Sequence, residues 1–144
     1  MIRHEPCTKE HLFAVVKGTD APDHKMEELF LNWREIVSWE DSYTLLDGDT
    51  PIMCGGVCRV GHWRGMAWSF MGPMTHKRMV GITRWAKAFL DFKMMELGRI
   101  EADVKSDFEL GHKWAKLLGF KKESLMRQYD GPDDYVKYVR LRDG

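Results

Sequence analysis

A chain of 144 residues with 22 basic and 22 acidic side chains is long enough for one hydrophobic core and has no net charge to draw it onto nucleic acid or an anionic membrane. Its apolar runs fall well short of the roughly 18 residues that a membrane-spanning helix needs. Three cysteines, Cys7, Cys54 and Cys58, lack a framework-like spacing and the opening MIRHEPCTKEH has no apolar leader, so one soluble domain, residues 1–144, is expected in the reducing cytoplasm.

A short first strand is expected over residues 1–6, then a helix over 9–18 with Thr8 as its cap and Gly18 as its stop. After a loop over 19–23, a longer helix starts at Pro22, because Met26, Leu29, Phe30, Trp33, Ile36 and Val37 recur at helical spacing. From Asp41 the period changes to that of strands. Two strands flank the turn 47–51, where Asp47-Gly48 is a hairpin signal, and a third covers 65–71 after the glycine-bounded turn 61–65. Gly55 and Gly56 inside a strand predict a bulge or a close approach by another group. A crossover helix over 81–97 follows, with Ile82, Trp85, Ala86, Phe89 and Leu90 on its apolar side and Gly98 as its cap. In RIEADVK, residues 99–105, Ile100, Ala102 and Val104 alternate with Glu101, Asp103 and Lys105, so one strand face carries three charges. A last helix over about 108–118 stops at Gly119, and strands over 120–129 and 135–141 close around the turn 130–134. The order predicts an α+β fold: a mixed, mostly antiparallel twisted sheet with one right-handed parallel crossover and helices on both faces.

The segment THKRMVGITRWAKAFLDF, residues 75–92, holds the first functional clue. Glycine costs about 1 kcal/mol against alanine in a helix interior, yet Gly81 stands where this helix is expected to begin. A helix start exposes unpaired N–H groups, and a residue without Cβ lets an anion approach them. Lys77, Arg78 and Arg84 add positive charge, so the turn reads as a phosphate cradle. Other residues are quieter. Cys54 and Cys58 with His62 do not make a zinc pattern, so the thiols read as buried and inert and no metal is expected. His76 reads as an exposed turn residue or a phosphate contact, and His112 as a surface residue. Trp33, Trp39, Trp63, Trp68 and Phe70 fit core packing, an acceptor cleft or a partner surface, whereas neutral charge argues against stacking on RNA.

Arg78-Met79-Val80-Gly81-Ile82-Thr83 resembles the R/Q-x-x-G-x-G/A loop of the GNAT acetyltransferase superfamily, with threonine at the last small position. DVKSDFELGHKWAKLLGF resembles a later segment of the same superfamily, which ends in LGF as Gly119-Phe120 do here; the opening strand and helix and the closing hairpin agree as well. The resemblance implies a GNAT-like fold and acetyl-CoA as cofactor. Arg78, Met79, Val80, Gly81, Ile82 and Thr83 would surround the pyrophosphate, and Phe70, Met71 and Gly72 would hold the pantetheine arm. It also implies direct attack of an amine acceptor, protein or small molecule, on the thioester, with a longer acyl-CoA as the alternative donor.

In the branch that resembles ribosomal-protein N-terminal acetylases, Asp103 takes the place of the glutamate base. Glu101 lies on the same face, and two neighbouring carboxylates are expected to raise one pKa toward neutrality. The departures are specific. Ala115 stands where the family's tyrosine acid would be, Phe108 and Gly111 replace the asparagine and alanine of the helix start, and strand 65–71 lacks the family's glutamate. A narrower resemblance is to small GNAT-like proteins of short-tailed bacteriophages, including their internal virion protein family. It implies the rival reading, a weakly active or inactive protein that binds a bacterial host or virion protein. The closing hairpin is where two copies would pair into a homodimer.

Overall fold

The computed structural model describes residues 1–19 and 22–143; Asp20 and Ala21 of the expected 19–23 loop, Gly144 and the side chains of residues 22–25 lie outside the described residues. In chain order the elements are β1 (Ile2–Pro6), α1 (Lys9–Lys17), α2 (Pro22–Ser38), β2 (Asp41–Asp47), β3 (Thr50–Arg59), β4 (Arg64–Met71), α3 (His76–Lys93), β5 (Arg99–Lys105), α4 (Glu109–Leu117), β6 (Lys121–Asp130) and β7 (Asp133–Leu141). The seven strands form a sheet ordered β1-β2-β3-β4-β5-β7-β6, with β4 parallel to β5 and antiparallel pairing of β1 with β2, β2 with β3, β5 with β7 and β6 with β7. Among the described residues no helix is long and apolar enough to cross a membrane.

The chain divides into two compact units, the first made of Met1–Cys58 and Trp68–Ile82 and the second of Arg59–Ala67 and Thr83–Gly144. In the first, Thr8 caps α1 by accepting a hydrogen bond from the His11 amide at 3.1 Å. α1 and α2 then bury Leu12, Val15, Val16, Leu29 and Ile36 together with Cys7 and Cys54, while Trp33, Trp39, Trp68 and Phe70 pack half-buried against this cluster. These four aromatic side chains therefore line the margin of the core; Trp63, in the second unit, is exposed under the Arg142 guanidinium. The paired glycines of β3 mark a close approach. A Cβ on Gly56 would stand 1.8 Å from the Asp41 carbonyl oxygen, and one on Gly55 2.9 Å from that of Trp68. The irregularity of register lies elsewhere, opposite Leu45 and Leu46.

In the second unit, β5 lies between β4 and β7, and one sheet face packs under α3 and α4: Arg140 pairs with Asp91 and the Tyr138 hydroxyl meets His112. Gly119 follows α4 with φ +92°, the left-handed stop that glycine permits. Gly98 has a different task from the helix cap expected of it. It lies five residues beyond α3, where a Cβ would meet the Trp63 ring at 1.8 Å, and its amide donates to the Trp63 carbonyl at 3.0 Å.

Candidate functional site

α3 begins at His76, one and a half turns before the expected Gly81. The reason is Thr75. Its hydroxyl accepts from the Arg78 amide at 3.2 Å and its carbonyl from the Met79 amide at 2.9 Å, which starts the helix there. Gly81 is thus the sixth helical residue, and with Ile82 and Thr83 it belongs to the helical ladder. Its missing Cβ makes room for β1 rather than for an anion, since a methyl group there would stand 2.7 Å from Ile2 Cγ1. The donors left open at this helix start are the amides of His76 and Lys77, both on exposed residues, and the first turn contains no acidic residue.

The neighbouring side chains are largely committed. Arg78 Nε donates to Asp47 Oδ2 at 3.0 Å and is half-buried; that bond holds the Asp47 carboxyl below its usual range. The Thr83 hydroxyl accepts from the Trp114 indole of α4 at 3.0 Å, and Ile82 is fully buried. On β4, Phe70 stands edge-on to Trp68 with ring centres 6.0 Å apart, and the Gly72 amide donates to the Ile52 carbonyl at 2.9 Å.

The candidate carboxylates are gathered in the second unit, on the sheet face opposite Ile100. Lys137 lies directly across from Asp103 in the β5–β7 register and bridges both acids, with Nζ 2.8 Å from Glu101 Oε1 and 2.9 Å from Asp103 Oδ1. Arg99 and Arg64 add bonds of 2.8 and 2.6 Å to Glu101 Oε2, and Arg99 also holds Glu123 at 3.0 Å. Tyr129 donates to Asp103 Oδ2 at 2.9 Å. Glu101 is 5% exposed. Burial works to raise its pKa, but the hydrogen bonds from Lys137 and Arg99 and the charges of Lys137 and Arg64 outweigh it, bringing it down to about 2. The expectation that two adjacent carboxylates would lift one of them toward neutrality is therefore corrected for Glu101. A cation lies between them, and Glu101 remains an anion throughout the neutral range.

The helix that would carry the family's acid has Ala115 at that position, buried at 5% exposure. One turn earlier, His112 is more than a surface residue. Its Nε2 is 3.0 Å from the Ser106 carbonyl, which can only accept, so that nitrogen bears the proton. Its Nδ1 shares a hydrogen bond with the Tyr138 hydroxyl, 2.7 Å away. Sequence reasoning missed Lys137, Arg64, Tyr129 and the bonded state of His112. The alternation of Tyr135, Lys137 and Val139 along β7 was visible, but not which β5 residue each would face. Of the two thiols expected to be buried, Cys54 is fully so, 3.4 Å from the Thr44 hydroxyl, and its neighbour Cys7 together with burial pushes its thiol pKa up, whereas Cys58 is half-buried.

No protein-family model matches the sequence, and no curated protein matches it significantly. Solved structures do. A GNAT-family acetyltransferase from Bacillus anthracis superposes with a TM-score of 0.75 at 15% identity, covering 99% of this chain and 96% of that one. A variant of the spermidine N-acetyltransferase of Vibrio cholerae matches at 0.73 and 12%, covering 99% and 94%. A ribosomal L7/L12 α-N-protein acetyltransferase in complex with coenzyme A matches at 0.70 and 12%, covering 97% and 93%. The chain has the GNAT fold over essentially its whole described length.

Proposed function

We propose that this GNAT-fold chain is an acetyl-CoA-dependent N-acetyltransferase acting on an amine acceptor in the cytoplasm. The observation that carries the reading is the start of α3. Two exposed first-turn residues whose amides the helix itself does not pair, an 18-residue helix behind them, no acid in the first turn and the side chains of Lys77 and Arg78 together suit a pyrophosphate. The cradle we propose is accordingly shifted: His76 and Lys77 would supply the amide donors, with Arg78 as the charge beside them, while Met79, Val80, Gly81, Ile82 and Thr83 form the helix that supports them. Phe70 and Met71 would hold the pantetheine arm through their backbone. Gly72, whose amide is bonded to β3, would offer its carbonyl.

Acetyl-CoA, when bound, supplies an activated acetyl thioester. Asp103 would take the proton from the acceptor's ammonium, directly or through one water, and so free the amine to attack, since each of its oxygens keeps acceptor capacity beyond its protein donor. Glu101, ionised and bonded by three cations, would hold Lys137 in place instead of accepting a proton. Ala115 gives no proton, so the departing thiolate would be protonated from solvent, and turnover would be slower than with a built-in acid. Calorimetric titration with acetyl-CoA tests the cofactor half of the reading. Lys77→Glu should weaken binding by about tenfold through lost charge complementarity at the helix start. Absence of heat at millimolar ligand in the native chain would refute it. A large side chain at Gly81 would not test it, because it would collide with Ile2 whether or not a ligand binds.

A second reading is favoured by Ala115 and by the lysine lodged between the carboxylates: a GNAT-fold protein that works by binding. The resemblance to small phage proteins would make a bacterial or virion protein its target. Capture of a stoichiometric partner by both the native chain and Lys77→Glu, with no acetylation of that partner, would support it.

A further inference from the structure

The edge strand β6 is irregular twice, and each irregularity delivers a side chain to the same ionic network. In the β6–β7 register Lys121 faces Val139 and Lys122 faces Tyr138, but Ser124, not Glu123, faces Lys137; the extra residue, Glu123, pairs with Arg99. The second shift falls between Met126, opposite Tyr135, and Asp130, opposite Asp133. Gln128, within it, is the one non-glycine among the described residues with positive φ, at 49°, and its amide donates to Asp134 Oδ1 at 2.8 Å.

Counting faces shows what this second irregularity does. Asp103 and Lys137 share a face, and so do Tyr135 and its partner Met126, two residues along each strand. Regular alternation from Met126 would put Gln128 on that face and Tyr129 on the other. The left-handed Gln128 reverses the order. Tyr129 instead lies beside Tyr135, ring centres 5.5 Å apart, with its hydroxyl on Asp103 Oδ2 at 2.9 Å. Tyr129 is 52% exposed, so burial of apolar surface alone does not account for the placement. Bulges protect sheet edges and re-aim side chains beside reactive groups, and a left-handed non-glycine residue is a strain that the surroundings must hold.

We propose that Tyr129 is a positioning residue for Asp103: the bulge at Gln128 aims its phenol at Oδ2 while Lys137 holds Oδ1, so that the carboxylate presents its remaining lone pairs in one fixed direction. This rests on Asp103 being the proton acceptor of the acetyl transfer proposed above. The phenol hydrogen stays on Tyr129, and no proton leaves the pair. The contact also has a signature of its own, because the hydrogen bond to Asp103, with burial and the Asp103 charge adding to it, pushes the Tyr129 phenol above its usual ionisation range.

Two measurements on the full chain test the proposal. In an absorbance titration of tyrosine ionisation, Asp103→Asn should lower one phenol toward the ordinary range, and Tyr129→Phe should remove that phenol from the curve. If Asp103→Asn leaves the curve unchanged, the contact is absent in solution and the proposal is overturned. In acetyl transfer from acetyl-CoA to spermidine and to a peptide N-terminus, Tyr129→Phe should lower kcat about tenfold, the loss of one oriented hydrogen bond, with KM for acetyl-CoA unchanged. Leu125→Ala, an exposed substitution on the same edge strand, should leave both unchanged. A native chain that transfers acetyl while Tyr129→Phe matches its kcat overturns this inference alone. A native chain that neither binds acetyl-CoA nor transfers acetyl overturns the acetyltransferase reading first and the positioning role with it.

Discussion

The two units are held together by different physics. In the first, Leu12, Val15, Val16 and Leu29 are at most 1% exposed, and half-buried aromatic rings pack around them; the stabilisation there is burial of apolar surface, which needs no particular partner geometry. In the second, an apolar layer of Leu90, Ile100, Ala115 and Phe120 accounts for one sheet face, while the other is organised by Arg64, Arg99, Glu101, Asp103, Glu123 and Lys137 in direct contact. An ion network of this kind is directional and contributes only if each charge finds its partner. The first unit should therefore respond to volume and the second to pH.

The largest expected effect is in the apolar unit. Leu12→Ala removes a fully buried side chain from the α1–α2 cluster and should cost about 3 kcal/mol in denaturant unfolding, with little dependence on pH between 5 and 8. A loss below about 1 kcal/mol would mean that the cluster can collapse around the gap.

Acid should separate the units next. Glu101 has a folded pKa of about 2 against an ordinary 4.5, so its contribution is fully present above pH 4.5 and is lost as the pH falls toward 2. That difference corresponds to about 3 kcal/mol, less whatever relaxation water provides. Hydrogen exchange should show β5 and β7 amides losing protection on acidification before those of α1 do. Lys137→Met removes a hydrogen bond from the Glu101 anion and should move that loss to higher pH. Equal acid sensitivity of α1 and β5 amides would erase the distinction between the units.

The smallest effect concerns Gly81. Gly81→Ala gains about 1 kcal/mol of helix propensity but must displace Ile2, so the net change in stability should stay within about 1 kcal/mol, and acetyl-CoA affinity should be unchanged. A large loss of affinity would return Gly81 to the ligand.

Much of the architecture was legible. The Thr8 cap, the helical recurrence from Met26 to Val37, the Asp47-Gly48 hairpin, the alternation of RIEADVK and the Gly119 stop each reappear at or within a residue or two of their expected places. All are local: capping, periodicity and turn chemistry act within a few residues, so the chain states them directly. The start of α3 was misplaced because a glycine in a family-like loop outweighed Thr75, a plain capping residue six positions earlier.

What the sequence determined by itself is the order and type of the elements, and through them the GNAT-like sheet. What only the tertiary structure decided is which partner each polar group takes. Gly81 meets Ile2, Arg78 meets Asp47, and Lys137 lies between Glu101 and Asp103 across 31 to 79 residues of chain. A strand pairing shifted by one residue would turn Lys137 to the opposite face and leave the two carboxylates facing each other. Register is a property of the assembled sheet, set by many distant contacts at once, so the charge state of this site could be read only after the strands had been paired.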